Sequence, residues 1–264
     1  MSDPGEEGGR GRAVLVCTDC PASRIVYHRL RAEVGDLDVV VEDRVPRARL
    51  LRRRLRRLGL LRVAGQVLFV AGVAPFLQWR GRRRIGEIMA RHGLVDQPLD
   101  RPVRVRSIND EEARRALRAL RPAVVVVCGT RIIGRETLGC VDAPFVNYHA
   151  GMTPAYRGVH GGYWALAEGR PDLAGSTVHL VDEGIDTGPV LEQRTFVASA
   201  ADNFATYPYL HVAAALPAIV GVTRRALAGE RLAGSAPASS APSRLRSHPT
   251  LWGWVAVALR RGVR

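Results

Sequence analysis

Two polar residues, Asn147 and His149, stand two positions apart in the run Phe145–His149. If this run is extended, both side chains point to the same side of the backbone. A carboxamide N–H and an imidazole N–H placed side by side can both donate to an oxyanion. The imidazole can also exchange a proton near neutral pH. The spacing therefore predicts a site that stabilises developing negative charge.

A carboxylate follows later in the chain, where Asp186 lies in a loop between Gly184 and Gly188. It could orient His149, hold the charged form of that ring, or take a proton from an attacking nucleophile. No Ser or Cys stands beside these residues in a nucleophile setting, which favours direct transfer to an external nucleophile over a covalent acyl-enzyme. A structural role is the alternative: a His–Asp hydrogen bond in a loop, with Asn147 capping a turn.

The patterns around these residues are more specific than the residues themselves. N-x-H is followed by P-x-Y-R-G and then by T-x-H-x-V-D-E-G-x-D-T-G-P. This segment resembles the formyltransferase family that uses 10-formyltetrahydrofolate, which includes methionyl-tRNA formyltransferase, glycinamide ribonucleotide transformylase and nucleotide-sugar N-formyltransferases. The resemblance is firm over residues 124–194 and faint over the first 45.

The resemblance implies roles for particular residues, with 10-formyltetrahydrofolate as the formyl donor and no metal. Asn147, His149 and Asp186 would be the catalytic residues. Contacts to the folate would come from a wall, Val127, Gly129, Ile132 and Ile133, and from a loop, Asp182, Glu183 and Gly184. Tyr156, Arg157 and Gly158 would meet the acceptor. Arg157 would contact a carboxylate or phosphate, or else brace its own loop.

Departures from known family members bear on the acceptor. Glycinamide ribonucleotide transformylase has a Gly-Ser-Asn phosphate loop after its first strand, where this chain has Thr18–Ser23. Methionyl-tRNA formyltransferase carries a longer C-terminal β domain, and nothing after Arg231 shows enough strand alternation for one. The segment Tyr156–Trp164 more closely resembles the sugar-modifying and uncharacterised branch of the family.

We therefore expect formyl transfer to a small-molecule amine, such as a nucleotide-linked amino sugar of a surface-polysaccharide precursor. Formylation of glycinamide ribonucleotide or methionyl-tRNA is the alternative within the family. Hydrolysis of the formyl donor, with water as the acceptor, is another. A different class also stays open, a non-catalytic RNA-binding module on the same fold. DNA is not expected as a partner.

The elements that must position these residues follow an α/β pattern. Apolar runs at 13–17 and 37–41 flank a helical spacing over 23–34, which indicates a parallel βαβ unit. The fully apolar run Pro122–Cys128 is typical of a central parallel strand buried on both faces. Ligands bind at the carboxyl ends of such strands, so the site should lie near Gly129. The prediction is a Rossmann-like, mostly parallel sheet with flanking helices.

A basic and apolar stretch, residues 47–84, interrupts this pattern and is predicted to be a helical insertion. Three interpretations compete: a transmembrane span, an interfacial helix on anionic lipid, or helices packed on the protein's own body or on a second subunit of a homodimer. The apolar, Arg-ended tail 249–264 would cover the insertion or share its membrane contact.

The chain is strongly basic. The net charge is +14 and all 39 basic residues are Arg. The pair Cys17 and Cys20 lacks a second metal-spaced pair and favours a structural role.

Without a signal-peptide pattern, a cytoplasmic location is expected, with peripheral attachment to the inner membrane face as an extension. The predicted division is a disordered tail at 1–12, a catalytic domain at 13–231, a linker at 232–247 and a tail at 248–264.

Overall fold

A computed structural model of the chain describes residues 11–237 and 241–264. Most of its strands form one seven-stranded sheet, and two short strands form a second, parallel pair. The strands are β1 (Arg12–Cys17), β2 (Leu37–Glu42), β3 (Val103–Val105), β4 (Pro122–Cys128), β5 (Phe145–His149), β6 (Tyr156–Gly158), β7 (Gly175–Leu180), β8 (Val190–Thr195) and β9 (Arg244–Arg246).

The large sheet has the order β3-β2-β1-β4-β5-β7-β8. Pairings from β3 to β5 are parallel, whereas β7 and β8 join antiparallel at one edge. The α-helices are α1 (Pro21–Val34), α2 (Arg47–Leu58), α3 (Leu60–Leu68), α4 (Ala74–His92), α5 (Glu111–Leu120), α6 (Arg135–Leu138), α7 (Gly161–Ala167), α8 (Tyr207–Leu227) and α9 (Leu251–Arg261). The predicted Rossmann-like, mostly parallel sheet is confirmed.

Strand β4 shows why the centre of the sheet is apolar on both sides. Val124 and Val126 pack into the core shared with α1 and α8, while Val125 and Val127 pack into the core on the α5 side. Successive side chains of a strand point to opposite faces, so a strand buried on both faces must be apolar at every position. This arrangement fixes the carboxyl end of β4 beside the end of β5.

The predicted boundaries differ from the structure at two places. Arg12, placed in the disordered tail, pairs with Pro122 as the first residue of β1; residues 1–10 of that tail lie outside the described residues. Within the linker at 232–247, β9 pairs in parallel with β6.

The predicted insertion is helical on both sides of Gly59, and the inner side of the helices after Gly59 lies on the body of the protein. A π-helical turn (Phe69–Val73) joins α3 to α4 without a break. The Phe69 ring meets Phe204 at 4.8 Å between ring centroids and Trp254 of α9 at 6.0 Å. A Cβ on Gly65 would meet the ring of Trp252, so α9 lies directly against α3. The C-terminal tail thus covers part of the insertion, as one of its two predicted roles requires.

Candidate functional site

The ends of β4 and β5 open into a cleft of about 540 Å³. Asn147, His149 and Asp186 all line it. The first two lie on β5 with side chains on the same side, as alternation along a strand requires. Asp186 arrives from the loop after β7, which pairs antiparallel with β5. The structure therefore brings together the three residues whose types suggested catalysis.

His149 is held between two hydrogen-bond acceptors. Its Nε2 lies 2.8 Å from the backbone carbonyl oxygen of Tyr156, and its Nδ1 lies 3.3 Å from Oδ1 of Asp186. A carbonyl and a carboxylate can only accept, so both contacts are satisfied together only when the ring carries two protons. Burial acts against that form and lowers the pKa of His149, although Asp186 and the Tyr156 carbonyl act in the opposite direction. The neutral ring is therefore prepared to accept a proton.

Asn147 is oriented by a residue that the sequence analysis did not single out, His179 on β7. The two residues face each other across the β5–β7 pair, and Nδ2 of Asn147 lies 3.0 Å from Nε2 of His179. Nδ1 of His179 lies 2.7 Å from the Leu180 carbonyl oxygen. Since that carbonyl accepts, the proton of neutral His179 belongs on Nδ1, and Nε2 accepts from the Asn147 amide. This contact fixes the amide with N–H groups toward Asp186.

The second amide hydrogen of Asn147 has only a weak partner. Oδ1 of Asp186 lies 3.5 Å from the amide nitrogen, at the outer limit of a hydrogen bond. That hydrogen is therefore available to an oxygen atom bound in the cleft. The arrangement supplies one of the two oxyanion donors expected from the sequence. The other expected donor, His149, directs its Nε2 to the Tyr156 carbonyl oxygen instead.

Asp186 is a largely buried carboxylate with several partners. Oδ2 accepts the backbone N–H of Gly158 at 2.9 Å, and Oδ1 lies near both His149 and His179. Burial alone would raise the pKa of Asp186, but these contacts outweigh it and hold the pKa below its ordinary value. Asp186 also has a φ of 52°, a left-handed conformation that is uncommon outside glycine and recurs at functional sites.

Gly151 permits the close approach that holds His149. A Cβ at this position would meet both Nε2 of His149 and the carbonyl oxygen of Tyr156, the two atoms that form the hydrogen bond. Only a residue without a side chain fits there. The loop after β5 can therefore fold back tightly enough to place β6 beside the site.

Most of the residues predicted to contact the folate line the cleft. The cleft lining includes Val127, Gly129, Ile132, Ile133, Asp182 and Gly184. Glu183 is absent from that lining and pairs with Arg135 at 2.7 Å. The carboxylate of Asp182 accepts from the Gly184 N–H and from the Thr187 hydroxyl, so it shapes the loop.

Of the predicted acceptor contacts, only Gly158 reaches the cleft. The Tyr156 hydroxyl donates to Glu168, and this side chain is 3% exposed. Arg157 donates to the Ile185 carbonyl at 3.2 Å, which braces the loop that carries Asp186. Of its two predicted roles, the structure thus shows the bracing one. His160 also lines the cleft and was not singled out from the sequence.

Comparison with known families decides what kind of protein carries this site. The model of the formyl transferase family matches residues 67–208, more than half of the chain, and the match includes Asn147, His149 and Asp186. The chain belongs to the formyl transferase family. The match begins inside the segment predicted as an insertion, so part of 47–84 corresponds to family sequence.

Curated formyl transferases share part of their sequence with this one. The methionyl-tRNA formyltransferase of Anaeromyxobacter sp. (strain K) is 38% identical over 110 residues, which cover 41% of this chain and 34% of that protein. The chain thus spans about a third of the length of that relative.

Solved structures of other proteins share the fold. A sugar N-formyltransferase from Shewanella sp FDAARGOS_354 aligns with a TM-score of 0.54 at 13% identity, over 89% of this chain and 76% of that one. HypX from Aquifex aeolicus in complex with tetrahydrofolic acid aligns with a TM-score of 0.52 at 14% identity, over 89% of this chain and 29% of that one. At these identities the likeness shows the fold alone.

Proposed function

We propose that this formyl transferase moves a formyl group from 10-formyltetrahydrofolate to an amine acceptor. The observation that carries the proposal is the convergence of Asn147, His149 and Asp186 in one cleft at the ends of β4 and β5. A protein that only binds RNA has no need of this arrangement of a fixed amide, a neutral imidazole and an ionised carboxylate.

The cleft suits a folate as the donor. Its volume of about 540 Å³ lies in the range of small-molecule sites. Ile132 leaves 46% of its surface exposed at the cleft, an apolar surface that a flat ring could cover. The facing loop, residues 182–186, is held in shape by Asp182 and offers its backbone to the polar edge of such a ring. When bound, the donor supplies an activated formyl carbon.

The residues of the cleft have separate roles in formyl transfer. Attack by a neutral amine places negative charge on the formyl oxygen, where the free amide hydrogen of Asn147 can stabilise it. The same attack leaves a surplus proton on the amine nitrogen. The His149–Asp186 pair can accept this proton, because the ring is neutral and the adjacent carboxylate stabilises the imidazolium that results. The pair can then return it to the leaving nitrogen.

An amino sugar, carried on a nucleotide as part of a surface-polysaccharide precursor, is the acceptor that we propose. The loop after β1 is poorly suited to a free ribonucleotide phosphate, because Asp19 contributes a carboxylate there. Arg24, the cation beside it, already contacts both Asp19 at 2.8 Å and Asp96 at 2.6 Å. This observation argues against glycinamide ribonucleotide. The resemblance of the segment Tyr156–Trp164 to the sugar-modifying branch supports the amino sugar.

Tetrahydrofolate release, followed in the presence and absence of nucleotide-linked amino sugars, tests this proposal. We expect release only when an amine is present. Release without any amine would indicate hydrolysis of the donor. No release with amino sugars, glycinamide ribonucleotide or methionyl-tRNA would refute catalysis by this chain.

A further inference from the structure

One face of the molecule combines unpaired arginines with exposed apolar side chains. We define the helical face as the outer side of α2, α3, the Phe69–Val73 turn, the first half of α4, and α9. From this face we infer that the protein docks on the surface of an anionic lipid bilayer. The inference does not depend on which acceptor is formylated.

The charge on this face is of one sign. Residues 44–86 contain thirteen arginines and no acidic residue. Helix α2 has seven of these arginines and buries none of its residues. Among residues 11–237 and 241–264, no acidic side chain pairs with any of the seven. Arginines that structural ion pairs leave free are suited to bind phosphate groups.

The apolar part of the face lies next to these arginines. Leu60 and Leu61 are 75% and 76% exposed at the start of α3, and Trp79 is 59% exposed on α4. Further exposed apolar residues continue the surface along the chain: Val67, Leu68, Val70, Phe76, Trp252, Val255 and Leu259. Leu, Phe and Trp beside Arg form the composition of helices that lie in the membrane interface.

The way this segment packs favours lying on a membrane over crossing one. Residues Leu60–His92 are long and apolar enough to span a bilayer, and 28% of their most apolar window is buried. The buried positions recur along the whole length: Val63, Phe69, Leu77, Gly81 and Ile88. Asn203 donates to the carbonyl of Leu77, and a Cβ on Gly81 would lie 3.2 Å from Asn203 and Thr206. One side of the helix is therefore fixed to the body, and only the other side is free to meet lipid.

The second long apolar helix, α8, serves as a contrast. It passes the same test of length and composition, but 61% of its window is buried. It packs against α1 and the sheet, so its apolar surface is already covered. Only the helical face leaves such a surface open within the described residues.

The helical face also adjoins the candidate active site. A groove of about 490 Å³ between α2 and α3 is lined by Leu50, Arg54 and His248, among others. Nδ1 of His248 lies 2.8 Å from Nε2 of His160, which lines the catalytic cleft. Docking through this face would therefore bring the cleft near the lipid headgroups.

Co-sedimentation with vesicles tests the inference on the full chain. We expect binding to vesicles of equal parts phosphatidylcholine and phosphatidylglycerol, and much weaker binding to phosphatidylcholine alone, since free arginines near the surface attract anionic lipid. Raising the salt concentration should weaken the binding. Failure of the wild-type protein to sediment with the anionic vesicles would overturn the inference.

Two variants and their matched controls locate the contact. Removing charge in α2, by Arg52→Gln, Arg53→Gln and Arg56→Gln together, should weaken binding at least about tenfold. Its control is the same change at exposed arginines elsewhere, Arg104→Gln, Arg115→Gln and Arg231→Gln. Removing apolar surface, by Leu60→Ser with Leu61→Ser, should also weaken binding, whereas Val197→Ser should not. Equal effects of the test and control variants would contradict the assignment.

Other occupants of the face give different results. An RNA-binding face would retain transfer RNA with a steep salt dependence while ignoring the vesicles. A face between two copies of this chain would give a dimer that Leu60→Ser with Leu61→Ser dissociates, again without vesicle binding. Either result would refute membrane docking. Unchanged circular dichroism of each variant excludes loss of the fold as the cause.

Discussion

At the scale of single residues, the site depends on which atoms are already engaged. His149 has both ring nitrogens facing acceptors, whereas the Asn147 amide keeps one hydrogen with only a long contact. Both residues were predicted from the sequence to be oxyanion donors, and these contacts give them different roles. It assigns charge stabilisation to Asn147 and proton transfer to His149 with Asp186.

His179 is expected to act as a positioning residue. The change His179→Ala removes the acceptor that fixes the Asn147 amide, so kcat should fall about 10- to 100-fold with little change in KM. Initial rates measured over a range of substrate concentrations check this expectation.

The variant His179→Gln is the matched control, since its amide can still accept from Asn147. It should recover part of the lost kcat. A His179→Ala protein with unchanged kcat would show that His179 has only a packing role.

The sequence predicted the types of the site residues but not their partners. Asn147, His149 and Asp186 could be picked out because their spacing and the surrounding glycines are visible in the chain. The contact with His179 depends on the register between β5 and β7, which are distant in sequence. The predictions that the Tyr156 and Glu183 side chains contact ligands at the cleft fail for a similar reason. Their partners, Glu168 and Arg135, come from other elements of the fold.

At the scale of elements, tight loops set the geometry of the cleft. Gly151→Ala would place a methyl group between His149 and the Tyr156 carbonyl, which must then separate. We expect kcat to fall at least about tenfold, because small displacements of catalytic groups are costly. Steady-state kinetics beside a thermal unfolding curve measure the effect.

Gly86→Ala in α4 is the control, because nothing lies within 4 Å of the added Cβ. This variant should keep full activity. Full activity of Gly151→Ala as well would mean that the His149–Tyr156 hydrogen bond is not needed.

Periodicity predicted the elements of the sheet well, since strands buried on both faces are continuously apolar. It failed for β9, because a short Arg-Leu-Arg strand in a Ser/Ala/Pro-rich region carries no strand pattern. The pairing of β9 with β6 depends on a residue outside β9, Gly158 of β6. Gly158 has a φ of 91°, and a Cβ at this position would meet the backbone carbonyl of Arg246. The backbone N–H of Gly158 also donates to Asp186, so β9 stabilises the strand that holds this carboxylate.

At the scale of the whole molecule, buried neutral histidines make stability depend on pH. Burial lowers the pKa of both His160 and His211 to about 3, and that of His248 to about 4. For His211, the Gly162 N–H donates to Nε2, so protonating that nitrogen also breaks a buried hydrogen bond. These folded-state values lie below the ordinary value of 6.5, so their stabilising contribution is complete above pH 6.5 and is lost as the pH falls.

Thermal unfolding between pH 7.5 and pH 5 should therefore show a falling Tm. Each histidine that gains a proton only on unfolding adds about 1.4 kcal/mol per pH unit to the slope below 6.5. His211→Gln retains an acceptor for Gly162 and should make the decline shallower. A Tm that is constant over this range, or an equal slope in the variant, would contradict the assignment.

The central claim is that the cleft residues perform formyl transfer. Its most direct test is kcat for transfer from 10-formyltetrahydrofolate to an amino-sugar acceptor in Asn147→Ala and His149→Ala. We expect each variant to stay folded and to lose at least about 10²–10³ in kcat. This is the cost of removing an oxyanion donor in Asn147→Ala, and the loss of proton transfer in His149→Ala costs a similar factor of about 10²–10⁴. Glu183→Gln, whose side chain the structure places outside the cleft, should keep near-normal turnover. Near-normal turnover in either of the first two variants would contradict the account.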